Sequence, residues 1–318
     1  MVTTYSQCYG QIVFLSVMIV ECELRFLSKI MQKCIIQTTS TLLMHAPLVD
    51  FQTDDRSDSQ RRFGGLTRLY GPEALAAMQR AHVAVVGIGG VGSWAAEALA
   101  RQGLGALTLI DLDHIAESNI NRQVHALSET LGQAKVGAMA LRIQSINPGC
   151  HVTVVDDFLT PDNVSEVLPE TLHIVIDCTD QMSAKVAMVL QARARQQPLI
   201  VCGGAGGKTD LLSLRAGDLS EATHDALLAR LRNTLRKQHG YPRASTEAGK
   251  SRKRVPKMGV RVLWVDQPTI LPEAWQTNDS GLQGLSCAGY GSSVTVTASM
   301  GLAAAAEAVN KIIQPKTK

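Results

Sequence analysis

Gly87, Gly89 and Gly92 stand in the order GxGxxG between an apolar run, HVAVVG, and a helix-patterned run, GSWAAEALARQG. Asp111 closes the next apolar run, ALTLID, about 20 residues on, the spacing of a nucleotide-binding turn and its ribose-binding acid. Glycines permit the tight turn and let the backbone approach phosphates, whose charge the N-terminus of the following helix favours. Asp111 can accept hydrogen bonds from ribose hydroxyls. By themselves these residues would describe an NAD or FAD site in most proteins. The discriminating residues follow in SNINRQ (Ser118 to Gln123), GQAKV (Gly132 to Val136) and IDCTD (Ile176 to Asp180). Hydride transfer needs no cluster of Asn, Arg and Lys aimed at phosphates. Attack on an α-phosphate does: a carboxylate nucleophile sets two negative groups against each other, and cations must offset that repulsion and the charge developing on departing pyrophosphate. Singly, each residue has a plainer role. Asp111 and Asp113 could end a strand and start a turn, Lys135 could be a solvated helix residue, and Arg122 could pair with a nearby acid. Their joint occurrence within one α/β unit favours the nucleotide site.

The elements that must carry these residues alternate. From Pro72 the pattern gives a helix to about Arg80, then the strands HVAVVG, ALTLID, HVTVVD, LHIVIDCTD and PLIVCG, separated by helices over GSWAAEALARQG, about Gly132 to Asn147, and Met182 to Gln196. This order predicts an α/β fold: a Rossmann-like, doubly wound, mainly parallel sheet with helices on both faces. A helix over about Asp218 to Gln238 and a strand RVLWVDQP follow. The C-terminal extension, Ser293 to Ile313, reads as β-like at its start and as an Ala-rich helix beyond. Residues 1–60 show no clean periodicity and end in TDDRSDSQRR, which reads as a linker. They are expected to be a poorly ordered extension, or to precede a true start near Met44, with 61–318 as the catalytic domain.

Composition bounds the function class. The 318 residues are 45% hydrophobic but only 4% aromatic, which suits a core of aliphatic residues on parallel strands. Seven scattered cysteines with no CxxC pair exclude a zinc knuckle and a disulfide framework, and point to reduced, cytoplasmic thiols. The longest N-terminal apolar run, Ile12 to Val20, is too short to span a bilayer, so no membrane partner is expected. Net charge is only +3, yet from Arg230 to Arg261 eleven Lys and Arg face one acid, Glu247, leaving that stretch at +10 and the remainder at −7. This basic insertion fits a polyanionic partner, although a solvated loop has the same composition.

With these residues the sequence resembles the superfamily of MoeB, ThiF and the ubiquitin-activating enzymes. Within it the match is to the branch that dehydrates threonylcarbamoyladenosine in tRNA, and it runs from Arg62 to about Ile313. RRFGGLTRLYG, GIGGVGSWAAEALAR, LIDLD, NRQVHAL, INPGCHVTVVDDFLTPDN, GGAGG and SCAGYGSSVTVTASMG carry it. The resemblance implies ATP and Mg²⁺ as cofactors, with Gly87, Gly89, Gly90 and Gly92 around the phosphates and Asp111 on the ribose. It places Asn119, Arg122 and Gln123 beside the α- and β-phosphates, Lys135 on phosphate, and Asp180 on Mg²⁺, so that Arg122, Lys135 and Asp180 are the catalytic set. Arg68, in RLYG, matches an arginine that reaches the neighbouring protomer's γ-phosphate, with Arg62 the other choice; either implies a homodimer. Cys178 is expected as a buried strand residue, and Cys287 in GLSCAGYG as a structural or substrate-loop residue. A cysteine-desulfurase and sulfur-acceptor system is a further implied partner.

The implied substrate is the threonyl carboxylate of the tRNA nucleoside, activated as an acyl-adenylate. The rivals are adenylation of a ubiquitin-like or sulfur-carrier Gly-Gly terminus, which shares the chemistry, and an NAD-dependent oxidoreductase, carried by GxGxxG and Asp111 alone. The basic stretch favours tRNA, with Arg252, Lys253 and Arg254 as the candidate phosphate contacts. Neutralising these three together should lower the log-log salt slope of tRNA binding by about two to three units and leave ATP binding unchanged. An unaltered slope in salt titrations of the variant would return the run to a solvated loop.

Overall fold

The computed structural model describes residues 55–245, 255–271 and 290–314. Arg252, Lys253 and Arg254, Cys287, the run Ile12 to Val20 and the candidate start at Met44 lie outside them.

Two helices, α1 (Asp55–Tyr70) and α2 (Pro72–Arg80), lead into β1 (His82–Val86). Then follow α3 (Gly92–Arg101), β2 (Ala106–Ile110), α4 (Lys135–Ile146), β3 (His151–Val155), α5 (Val164–Val167) and β4 (Ile174–Asp177). The second half holds α6 (Met182–Arg195), β5 (Leu199–Cys202), β6 (Leu214–Asp218), α7 (Ala226–Gln238), β7 (Arg261–Val265) and α8 (Val294–Ile313). The strands form one seven-stranded sheet in the order β3-β2-β1-β4-β5-β7-β6, parallel except where β6 runs against β7. Unbroken apolar runs such as Val83–Val86 and Ile174–Ile176 are buried throughout, as strands covered on both faces must be. The chain crosses from one half of the sheet to the other between β1 and β4, so the crevice at their carboxyl ends is a topological switch point, where such sheets bind ligands.

The expected doubly wound sheet is present, and three local readings differ. Of the TDDRSDSQRR run, the part from Asp55 on is helical, in α1; Phe63 buries itself, and the Arg62 guanidinium donates to the Ile146 carbonyl at 3.2 Å, so tertiary contacts hold a helix whose local sequence is polar. Asp218, read as the start of a helix, is instead the last residue of β6, and α7 begins only after the turn to Asp225, whose carboxylate caps it by accepting the Leu228 N–H. Asp218 accepts the N–H groups of Met258 and Gly259 (2.9 and 2.7 Å), which locks the end of β6 to the start of β7. The β-branched VTVT of the C-terminal segment is helical from Val294, with Ser293 as its cap and Val296, Met300, Ala304 and Ala308 facing the core. Burial at helical spacing outweighs the weak preference of Val and Thr for strands. Among the described residues no helix is long and apolar enough to cross a membrane.

His125, in NRQVHAL, is buried with both ring nitrogens unpaired by hydrogen bonds. Burial, then the charges of Lys135 and Arg142, push its imidazole down to about 4. The folded protein therefore keeps this ring neutral while the unfolded chain protonates near 6.5, so stability is full above that value and falls as the pH drops towards 4, by up to about 3 kcal/mol. Denaturant midpoints at pH 7.5 and 5 should diverge in the native chain, and His125→Leu should remove most of the difference; an equal pH dependence in the variant contradicts this.

Candidate nucleotide-binding site

A cleft of about 450 Å³ opens at the carboxyl ends of β1, β2, β4 and β5. Its size is that of a small-ligand pocket. Gly87, Gly89, Gly90, Asp111, Asn119, Arg122, Gln123, Lys135 and Asp180, scattered over almost a hundred residues of chain, all line it. Gly92 does not. A Cβ there would lie 1.9 Å from the Gly87 carbonyl oxygen, so Gly92 serves the packing of α3 against the turn and not the cleft wall. Gly87 itself sits at φ +87°, in the region open to glycine.

Asp111 anchors the turn. Its Oδ2 accepts the Ile88 N–H at 2.6 Å and its Oδ1 accepts the Asp113 N–H at 2.9 Å, so the acid expected to hold ribose also fixes the glycine loop that would meet the phosphates. Burial pushes its carboxyl up, and the Lys135 charge and the two N–H groups oppose that shift. Lys135 is no solvated helix residue: its side chain is only 7% exposed, and its ammonium stands 2.6 Å from Asp113 Oδ2 and 3.9 Å from Asp111 Oδ1. Arg122 donates to the Ser118 carbonyl (2.6 Å) and Asn121 Oδ1 (3.0 Å), both neutral, so no described acid cancels its charge. Gln123 Oε1 is buried at the cleft with no hydrogen-bond partner among the described residues, a group that a ligand donor would satisfy. Asn119 instead spends its Oδ1 on the Ala116 N–H, shaping the loop.

Asp180 is exposed on the cleft wall beyond β4. Among the described residues no group of three or more His, Cys, Asp or Glu could hold a metal ion. A single carboxylate of this kind suits Mg²⁺, which binds through one or two carboxylates plus substrate phosphates. Cys178, expected as a buried strand residue, lies one residue past β4, half-buried on the cleft; its hydrogen bond with Cys202, then desolvation, push its thiol pKa up, which disfavours the thiolate a nucleophile needs. Arg68 is exposed in the last turn of α1 and does not line this chain's cleft, nor does Arg62, bound at the end of α4.

The opposite wall, Gly203, Ala205 and Gly206, comes from the GGAGG run, and Ser292 and Thr297 bring the start of α8 into the cleft. Two fully buried residues beside the cleft, Asp177 and Lys185, have no role in the sequence reading: Asp177 stands in IDCTD without one, and a lysine within MSAKVAM gives no sign of burial.

The ThiF family model matches residues 61–318. The chain belongs to the ThiF family. It is 42% identical over 265 residues to the tRNA threonylcarbamoyladenosine dehydratase of Escherichia coli strain K12, covering 81% of this chain and 96% of that protein. It is 39% identical over 259 residues to the protein of the same name from Haemophilus influenzae, covering 81% and 95%. A crystal structure of the Escherichia coli dehydratase, TcdA, in complex with ATP matches at a TM-score of 0.69 and 42% identity, over 80% of this chain and 94% of that one. This ThiF-family site thus has the fold and size for a nucleotide with its glycine turn, two cations and one exposed acid on a common cleft. In Gly92→Ala the methyl must displace the Gly87 carbonyl, so we expect a lower melting temperature and loss of the stabilisation that ATP gives the native protein. An ATP-induced thermal shift equal to that of the native chain would show that the turn tolerates the methyl.

Proposed function

We propose that this chain is an ATP-dependent dehydratase that cyclises threonylcarbamoyladenosine in tRNA through an acyl-adenylate. The observation that carries the reading is the convergence of Lys135, Arg122 and Asp180 on the glycine-turn cleft, in a chain that spans 96% of a named dehydratase and matches the fold of its ATP complex. Lys135 and Arg122 offset the charge where the threonyl carboxylate oxygen bonds to the α-phosphorus and pyrophosphate departs. The carbamoyl group then closes on the activated carbonyl carbon, AMP leaves, a proton passes to solvent or a base, and the nucleoside has lost one water. Asp111 fixes both the ribose side and the turn, and Gln123 offers its unpaired oxygen to a ligand donor. Asp180 would hold Mg²⁺, which when bound supplies positive charge to the phosphates.

The same reading extends to the assembly. Arg68 and Arg62 both lie away from their own chain's cleft, which fits a homodimer in which one of them reaches the neighbouring cleft. Residues 61–318 would form the adenylating domain in the cytoplasm, with 1–60 as an extension and the basic stretch from α7 onward as the tRNA contact. A cysteine-desulfurase and sulfur-acceptor system remains a candidate partner. Hydride transfer would leave the cations of the cleft without a task. A thermal-shift comparison separates the two: ATP with Mg²⁺, and not NAD, should stabilise the fold.

Lys135→Ala and Arg122→Ala should each lower ATP/pyrophosphate exchange on the order of 100-fold, as removal of a preorganised charge does. Their melting temperatures should stay near that of the native chain for Arg122, whose partners are neutral. Asp180→Asn should be similarly damaging and should raise the Mg²⁺ concentration required, since an amide is a poorer ligand for a hard cation. Near-native exchange in any of the three would remove that residue from its role.

A further inference from the structure

Asp177 closes β4 and Lys185 lies near the start of α6, and both side chains are fully buried. The ammonium stands 3.0 Å from Asp177 Oδ2 and donates at 2.9 Å to the carbonyl of Cys202, the last residue of β5. Asp177 Oδ1 accepts the N–H and the hydroxyl of Thr179 at 3.0 and 2.9 Å. One pair of charges therefore joins the ends of two neighbouring strands to the residue that precedes Asp180. Both ends open on the cleft: Thr179, Asp180 and Gln181 come from the first, Gly203, Ala205 and Gly206 from the second. The second wall is held in turn by Asp225, whose Oδ2 accepts the Gly204 N–H at 2.9 Å. Burial raises the pKa of Asp225, and the Leu228 and Gly204 N–H groups, then the Lys185 charge, oppose that rise.

Core stability does not require such a pair. Taking two charges out of water is costly, and packed apolar residues of similar volume often hold an interior as well or better. An apolar pair cannot, however, direct hydrogen bonds at Thr179 and at the Cys202 carbonyl together. We propose that Asp177 and Lys185 are positioning residues for adenylation: without touching substrate, they set Asp180 and the Gly203–Gly206 wall in register across the cleft. The proposal rests on the adenylating reading. Geometry of this kind is decisive because a displacement of about 1 Å at a reacting centre costs on the order of 100-fold in rate.

The test is the double variant Asp177→Leu/Lys185→Met, which removes both charges at once and leaves neither buried alone. Its melting temperature should equal or exceed that of the native chain. The kcat of ATP/pyrophosphate exchange with tRNA carrying threonylcarbamoyladenosine should fall about 10- to 100-fold, while KM for ATP changes less than about threefold. A stable double variant with native kcat would overturn the proposal and make the pair purely structural. Should the double variant not fold, Lys185→Arg and Asp177→Asn decide: the first keeps the charge and should hold kcat within about threefold, the second should lose it. A folded Asp177→Asn with native kcat, or a folded but inactive Lys185→Arg, would contradict the proposal. Absence of exchange in the native chain would instead sink the adenylating reading itself.

Discussion

A lysine ammonium inside a protein must be matched by negative charge, and Lys135 is the place where this constraint organises the molecule. It sits in the first turn of α4, almost wholly shielded, with Asp113 at 2.6 Å and Asp111 at 3.9 Å. An uncompensated charge at that depth would be strongly destabilising. Asp111 also holds the glycine turn through the Ile88 N–H, so one cation and two carboxylates tie together the ends of β1 and β2 and the start of α4. On the adenylating reading proposed above, a polyphosphate entering the cleft would meet a cation already desolvated and fixed in direction. Preorganised charge of this kind needs little rearrangement during reaction.

The sheet topology places that charge where chemistry can use it. The reversal of strand order between β1 and β4 leaves a crevice that helices do not fill, and residues far apart in sequence reach it because each follows a strand's carboxyl end. Arg122 arrives from the loop after β2, Asp180 from the loop after β4, and the GGAGG wall from the loop after β5. The buried Asp177–Lys185 pair lies beneath two of these loops, so the wall carrying Asp180 is tied into the core and does not hang from a free segment.

Much of this was legible in the sequence because the signals were local. A glycine turn between an apolar run and a helix, an acid at the end of the next strand, and unbroken aliphatic runs each fix their own geometry. What could not be read depended on partners distant in the chain. Lys185 looks like any helix lysine until Asp177 and the Cys202 carbonyl surround it. The run LRAGD contains a glycine and two charges and becomes a strand only because β7 offers an edge to pair with. VTVT is helical because α8 buries one side of it, and the polar run from Asp55 is helical because Phe63 and Arg62 find their contacts elsewhere. Gly92 matched the phosphate motif, yet its duty is the close passage of α3 past the Gly87 carbonyl. The motif predicts the need for glycine without saying which atom comes near.

If the fixed charges of this cleft activate a carboxylate on tRNA, the product of the reaction shows it most directly. Purified protein incubated with ATP, Mg²⁺ and tRNA containing threonylcarbamoyladenosine should convert the nucleoside to a form lighter by one water, with one AMP and one pyrophosphate released for each nucleoside converted, as followed by mass spectrometry of the digested tRNA. A nucleoside of unchanged mass in the presence of ATP that the protein demonstrably binds, with exchange stimulated instead by a polypeptide ending in Gly-Gly, would contradict it.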